Sequence, residues 1–518
     1  MENGKDASTA TKSAVIGMTE RLNNTAGAIT LSKSGEFGVY FSSKRMSWAL
    51  VKDEKILYGI EPGEVFDEHY TDNTYVVPSL LSRYLPTPPT PQPTPDFFLQ
   101  IDVTLAQIIK LMFYDTLCER FKRATRRITV ASLYIGVGAL EGQLLEITKA
   151  NLMRNENLKF HILLDYQRGT RGTKNSLSLL QEFVNNAPDQ CNVAMYQTPR
   201  LHGPWSRMLP SRYNELIGLQ HMKLYITDDK VLLSGANCSK DYFQNRQDRY
   251  IEVEDGDLAD FYCDLIDGTL SLYDSKTAEV KEGSVKIANF LDKWRERQES
   301  KLLSLKNDMN HDTWVFPLIQ MGEFNIRQDE MVTMGLLESA PRGSYVRLAT
   351  GYFNLTDQYT ETLLKNCKAY ISLLMAHPTA NGFLGASGPA GGIPHAYSLI
   401  ASKFWERVQD TNQTSRIRML EYQRKGWTFH AKGLWYYPAG SDVPWATLVG
   451  SANLGERSVR RDLEAQAAIF TTSHQLQVKL HEECSLLHAH ASECVAELRE
   501  RRPPLWVRAT VGLFRTYF

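Results

Sequence analysis

The chain carries one short chemical pattern twice. His221-Met-Lys223 is followed by Ser234-Gly-Ala-Asn237, and His430-Ala-Lys432 is followed by Gly450-Ser-Ala-Asn453. A lone His-x-Lys arises by chance in many proteins. Here each copy opens the fourth member of a matching series of apolar, β-branched runs: 128–136, 160–165, 193–197, 222–226 and 230–234 in the first half, and 346–353, 369–375, 417–421, 431–435 and 446–450 in the second. Repetition of both chemistry and order predicts an α/β protein of two homologous halves, each a mixed sheet flanked by helices, with an active site at their interface.

In extended backbone, residues two apart face the same side, so each His and its Lys project together. Asn237 and Asn453 end the next strand in small-residue turns that leave amide donors uncovered. Imidazole, ammonium and amide from both halves would then surround one tetrahedral anion. Eleven residues beyond each Asn stands a carboxylate, Asp248 or Glu464. That register suits it to accept the outer ring N–H of the histidine of its own half and to fix the tautomer. Asp228 lies five residues beyond Lys223 and is counted with the set as support. The corresponding residue beyond Lys432 is Tyr437, and about seven extra residues, 438–444, precede the second Asn.

Such a set suits phosphoryl transfer. Lys223, Lys432, Asn237 and Asn453 neutralise a phosphodiester. One neutral histidine attacks phosphorus to give a phosphohistidine, and the other handles the proton. The sequence shows no Asp/Glu cluster suited to magnesium, so neither metal nor cofactor is expected. The loop 167–174 follows a strand and offers Arg168, Arg171 and Lys174 to a substrate phosphate, with Ser234 and Ser451 as further substrate contacts. Ser132, Tyr134, Tyr352 and Asn354 sit near matching strand ends. The glycine-rich stretch 381–392 reads as a lid or a plain connector.

Residues 1–98 read as a flexible arm with a proline-rich linker at 86–95, 99–275 as the first domain, 276–312 as a connecting helix, 313–500 as the second domain, and 501–518 as a tail whose aromatics and arginines suit a membrane interface. Across the 518 residues Lys and Arg number 58 against 59 Asp and Glu, a net charge of -1, so no general basic field favours nucleic acid. Seven scattered cysteines lack any C-x-x-C pair and suggest neither a disulfide framework nor a zinc site. No run of 18 apolar residues appears, and the N-terminus lacks the pattern of a secretory signal.

The arrangement H-x-K-x(4)-D followed by a Gly-Ser-x-Asn turn resembles the phospholipase D superfamily. The first turn reads Ser-Gly where that family has Gly-Ser. Within the superfamily, the blocks 218–225, 234–237, 245–250 and 461–466 are similar to the eukaryotic phosphatidyltransferases that use CDP-diacylglycerol. The resemblance implies glycerol 3-phosphate as acceptor, CMP and phosphatidylglycerophosphate as products, and a peripheral place on the mitochondrial inner membrane, in the route toward phosphatidylglycerol and cardiolipin. Of the two histidines we assign His221 as nucleophile and His430 as acid/base, an order that the sequence itself leaves open. Two other readings compete: a phospholipase D-type phosphodiesterase acting on phospholipid or nucleic acid, and an inactive lipid-binding scaffold.

Overall fold

A computed structural model describes residues 6–22, 27–31, 37–42, 48–52, 55–59, 66–69, 99–100, 110–201, 214–215, 217–271, 280–304, 312–386 and 388–515. The chain divides into two units, 1–80 and 81–518. The first differs from the expected open arm. It contains the helix Ala7–Leu22, a hairpin of Gly27–Leu31 with Phe37–Phe41, and a three-stranded antiparallel sheet of Trp48–Lys52, Lys55–Gly59 and Phe66–His69. Ala7, Thr11 and Val15, spaced by four, form the buried stripe of that helix. The proline-rich segment 86–95 lies outside the described residues.

The second unit holds both halves. The first sheet runs, in spatial order, Tyr250–Glu254, Lys230–Ser234, Leu224–Thr227, Arg127–Ala131, Lys159–Asp165 and Cys191–Tyr196. The second contains the same order of equivalents: Leu463–Thr471, Ala446–Gly450, Gly433–Tyr437, Tyr345–Thr350, Tyr370–Ala376 and Ile417–Tyr422. In both, the last three strands are parallel and the others antiparallel. The second sheet is extended beyond Leu463–Thr471 by Thr313–Met321, a nine-residue antiparallel pairing. Strands covered on both faces are mostly apolar, and Leu224–Thr227, Gly433–Tyr437 and Leu463–Thr471 are buried at every position.

The halves share one core. A single apolar cluster takes Met222, Leu224 and Ile226 from the first half, Ala431, Trp435 and Val449 from the second, and Ile287 and Trp294 from the helix Val280–Ser304 that connects them. Two further clusters cover the outer face of each half. The C-terminal segment forms a helix, Leu505–Phe514, anchored by Val507 and Val511 in the outer cluster of the second half.

Candidate active site

Each His-x-Lys triplet stands in extended backbone just before its strand, and the strands begin at Leu224 and Gly433. What fixes the triplets is a pair of parallel bridges between the halves. Leu463 N donates to Leu219 O and His221 N to Leu463 O, at 2.8 and 2.9 Å. In the mirror arrangement Thr428 N donates to Asn245 O and His430 N to Gln247 O, at 2.9 and 2.8 Å. The segment that bears each carboxylate therefore lies against the triplet of the opposite half.

This crossing corrects the expected pairing. Glu464 of the second half meets Nδ1 of His221 at 2.9 Å, and Asp248 of the first half meets Nδ1 of His430 at 2.7 Å. Neither histidine is completed by its own half. Ser451 and Ser458 donate to the two oxygens of Glu464. At the position equivalent to Ser451 the first half has Gly235, where a Cβ would lie 2.7 Å from Asp248 Oδ1. The inverted Ser-Gly turn thus makes room for the shorter carboxylate. Ser234 itself braces the turn: its Oγ donates to Arg249 O and accepts from Ala236 N. Arg249 clamps the crossing segment to the second half through Leu448 O, Thr447 Oγ1 and Glu483, with its guanidinium 3.8 Å over the Trp435 ring.

With Nδ1 turned to a carboxylate, each Nε2 is left for chemistry. Both lysines are buried, and each Nζ donates to the carbonyl of its own histidine at 2.6 Å. Lys432 Nζ also lies 2.7 Å from His430 Nδ1 and 3.2 Å from Nε2. Asn237 accepts from Leu133 N and donates to the Tyr242 hydroxyl, which in turn sits 3.4 Å from His430 Nε2. Asn453 keeps a buried Oδ1 without a partner among the described residues.

Burial is the strongest influence on both histidines, both lysines and Glu464. It holds His221 and His430 well below the usual histidine range, reinforced by Lys223 on His221 and by Lys432 on His430, and each histidine also feels the lysine of the other half. Burial lowers Lys432 to about 8 against the pull of Asp248 and Glu464, and raises Glu464 to about 7 against Lys223 and its two serines. A resting site with neutral imidazoles and nearby cations is ready to receive an anion. The bound anion's negative charge offsets the lysines and restores a histidine's capacity to hold a proton.

The other expected residues separate clearly. Asp228 caps the far end of its strand, with φ +52°, accepting from Thr125 N, Thr125 Oγ1, Arg126 N and Arg127 N. It is not brought to the histidines. Burial raises its pKa, but the hydrogen bonds from Arg126, Thr125 and Arg127 prevail and hold it below the ordinary carboxylate value. Tyr437, at the same place in the second half, instead stacks under Arg347 at 5.1 Å. Of the loop cations, Arg168 lies 4.7 Å over the Tyr134 ring and interacts with Tyr352, whereas Arg171 is 3.3 Å from Glu215 and Lys174 is exposed. Asp165 caps the turn carrying Arg168 and accepts from Gln220 N, joining that loop to the His221 segment.

His221, Asp462 and Glu464 form a trio with metal-ligand spacing that the sequence did not disclose. Its donor atoms are engaged: Asp462 accepts from Leu219 N and Arg457 Nε, and Glu464 from the serines and His221. Tyr242, Arg246, Arg457, Ser458 and Asp462 were also missed. Their signal was the register itself, since five and nine residues beyond the two asparagines stand Tyr242 with Ser458 and Arg246 with Asp462.

Two duplicated sheets meeting on paired His-Lys-Asn sets make a phospholipase D-like fold. Phosphatidylserine synthase of Haemophilus influenzae superposes with TM-score 0.59 over 78% of this chain and 91% of that one, at 20% identity. No family model matches the chain. Among curated proteins, the mitochondrial CDP-diacylglycerol–glycerol-3-phosphate 3-phosphatidyltransferases of Gallus gallus and Homo sapiens are 42% and 40% identical over 456 and 452 residues, covering 78% of this chain and 82% and 81% of theirs. The probable counterpart of Dictyostelium discoideum is 39% identical, covering 78% of this chain and 76% of that protein. The chain belongs to this phosphatidyltransferase family.

Proposed function

We propose that the chain transfers a phosphatidyl group from CDP-diacylglycerol to glycerol 3-phosphate, giving phosphatidylglycerophosphate and CMP. The reciprocal wiring of two buried histidines, each oriented by a carboxylate of the opposite half, carries this reading. A lipid-binding scaffold has no use for two imidazoles held by crossed carboxylates.

His221 Nε2 attacks the lipid-linked phosphorus. The P–N bond forms as the P–O bond to CMP breaks, and His430 supplies the proton that the departing oxygen takes. The ammonium groups of Lys223 and Lys432 and the Asn237 and Asn453 amides stabilise the charge gathering on phosphorus. The glycerol 3-phosphate hydroxyl then loses its proton to His430 as its oxygen attacks phosphorus and displaces His221. Arg168 is the loop cation best placed for the acceptor. The test is CMP release from CDP-diacylglycerol in detergent with EDTA present. Release that depends on glycerol 3-phosphate and is abolished in both H221A and H430A supports the reading; release to water alone overturns it in favour of a hydrolase.

No helix among the described residues is long and apolar enough to cross a membrane. Leu505 and Trp506 are 80% and 50% exposed, and Leu384 on the glycine-rich stretch is 58% exposed. Trp506 packs on the backbone of Gly392, so the terminal helix and that stretch touch. With exposed Arg502 and Arg508 beside them, these residues suit the interface of an anionic bilayer. The vertebrate relatives are named mitochondrial, and a peripheral place on the inner membrane is our reading for this chain. Flotation with cardiolipin-containing vesicles that is weakened in an L505S/W506S protein supports it, and unchanged flotation rejects it.

A further inference from the structure

Two half-buried tyrosines occupy equivalent places beside the site. Ala131 pairs with Leu224 and Ala349 with Gly433, the residues that follow Lys223 and Lys432, and three positions further on come Tyr134 and Tyr352. Each is braced alike, with Ser132 Oγ donating to Tyr134 O and Thr350 Oγ1 to Tyr352 O. What covers the two rings differs. The segment after Lys159–Asp165 lays the Arg168 guanidinium 4.7 Å over Tyr134, and Arg171 and Lys174 follow in the same loop. The segment after Tyr370–Ala376 instead sets Phe383 5.7 Å from Tyr352, and the helix Ile393–Asp410 adds Tyr397 at 5.5 Å. One side of the mouth is therefore cationic and the other aromatic.

Tyr352 is where the second half changes character. Its ring stands edge-on to His430 at 5.5 Å. Burial raises its phenol and the guanidinium groups of Arg246 and Arg457 draw it back, so the hydroxyl feels cations while the ring packs on Phe383 and Tyr397. From there apolar groups run outward. Leu384, next to Phe383, is exposed, and the exposed Trp506 covers Gly392 at the foot of the helix that carries Tyr397. The terminal helix meets this wall at its other end as well: Asn354 Nδ2 donates to Arg515 O at 2.9 Å and Arg515 Nη2 to Leu355 O at 3.0 Å, two and three residues beyond Tyr352.

The two-step reaction read above needs such a division. The diacylglycerol is joined to phosphorus through an oxygen that neither attacks nor leaves, so it stays in the site through both steps. CMP departs and glycerol 3-phosphate arrives while the lipid is still in place, and both must pass by another side. Moving acyl chains from a bilayer into water is unfavourable in proportion to the apolar area exposed, so the lipid's side must be the one continuous with the membrane-facing residues. Resting on that reading, we propose that the diacylglycerol of the donor lies against the second half, along Tyr352, Phe383 and Tyr397, and that its chains pass out between the glycine-rich stretch and the terminal helix. The Arg168 side stays open to the water-soluble partners. Two halves that supply matching chemistry at phosphorus thus divide lipid from water at the mouth.

The full wild-type chain is mixed with cardiolipin-containing vesicles that carry CDP-diacylglycerol bearing a diazirine near the ester end of one acyl chain, irradiated without acceptor, digested and mapped by mass spectrometry. Adducts within 381–400 are expected. Adducts on 166–174 instead, or on neither segment in protein that releases CMP when glycerol 3-phosphate is added, refute the proposal. This measurement needs no variant to fold. A second one compares CDP-dioleoylglycerol in detergent micelles with monomeric CDP-dibutyrylglycerol, at saturating glycerol 3-phosphate, so that vesicle binding does not enter. Loss of one ring's apolar contact predicts that F383A lowers the ratio of long-chain to short-chain kcat/KM about 3- to 10-fold, whereas R168Q raises the KM for glycerol 3-phosphate and leaves that ratio as it was. An unchanged ratio in F383A, or an equal fall in R168Q, refutes the assignment. Wild-type protein that releases no CMP at all defeats the transferase reading instead, so the two failures are distinguishable.

Discussion

Replacing Lys432 with methionine should abolish turnover and make the protein more stable. The ammonium is 1% exposed, and burial brings its pKa from 10.5 to about 8 even though Asp248 and Glu464 pull the other way. At 1.36 kcal/mol per unit, the difference corresponds to about 3 kcal/mol by which the folded chain disfavours the charged form. The sign follows from proton counting. Between pH 8 and 10.5 the unfolded chain still holds the proton that the folded chain has released, so stability rises with pH across that window. Below it both states are protonated, and the native protein carries the full cost of the buried charge. Lys432→Met keeps most of the apolar stem and removes that cost. It also leaves Asp248 and Glu464 with one cation fewer, so about 3 kcal/mol is a ceiling.

The expected result is a higher urea midpoint for K432M than for wild type at pH 7, measured on the full chain by pulse proteolysis. The gap should narrow as pH climbs from 8 to 10.5, while CMP release is lost at every pH. A K432M protein less stable than wild type at pH 7 refutes the argument, as does a gap that does not change with pH. Stability gained by destroying function marks a group held in place for chemistry, as expected of an anion-binding cation kept dry until substrate arrives.

The crossed carboxylates predict different lesions. E464Q, acting on His221, should suppress the acid-labile phosphoenzyme formed from labelled CDP-diacylglycerol, whereas D248N, acting on His430, should let it form and slow steady-state turnover by about 10³-fold; rapid quench separates the two. Gly235→Ala places a methyl group 2.7 Å from Asp248 Oδ1 and 3.0 Å from Lys432 Cδ, and should lower kcat by at least about tenfold through displaced groups, with circular dichroism unchanged. Asp228→Ala should cost about 1–3 kcal/mol in denaturation while leaving kcat per folded molecule intact, because its partners are the backbone amides of residues 125–127.

Much of this site was legible because duplication writes it twice: the same triplet in the same place in two strand series points to the fold and to the residues that meet in the site together. Register along one chain does not say which strand lies alongside, however. Asp248 and Glu464 were visible at equal offsets, yet their exchange depends on the bridges Leu463 to Leu219 and Gln247 to His430, which join segments far apart in sequence. Asp228 belongs to the motif by spacing yet stands apart from the site, as its place at the far end of the strand implies. Motif spacing records co-occurrence, but a residue seven positions beyond His221 is about 23 Å away in extended backbone and cannot touch the same phosphate. The N-terminal helix hid its buried positions, Ala7 and Thr11 among them, in residues too small or polar to announce a core.

The crossing also explains why the halves can diverge at single positions without losing the site. Each histidine depends on the opposite half for its carboxylate, so a change in one half is felt at the other's chemistry. Gly235 opposite Ser451 matches an Asp in place of a Glu, and the Arg457–Asp462 ion pair of the second half reappears in the first with its signs exchanged, as Asp241–Arg246. A symmetric pair of phosphohistidine chemistries has no preferred order of events. The exchanges at these equivalent positions are where the surroundings of the two imidazoles differ.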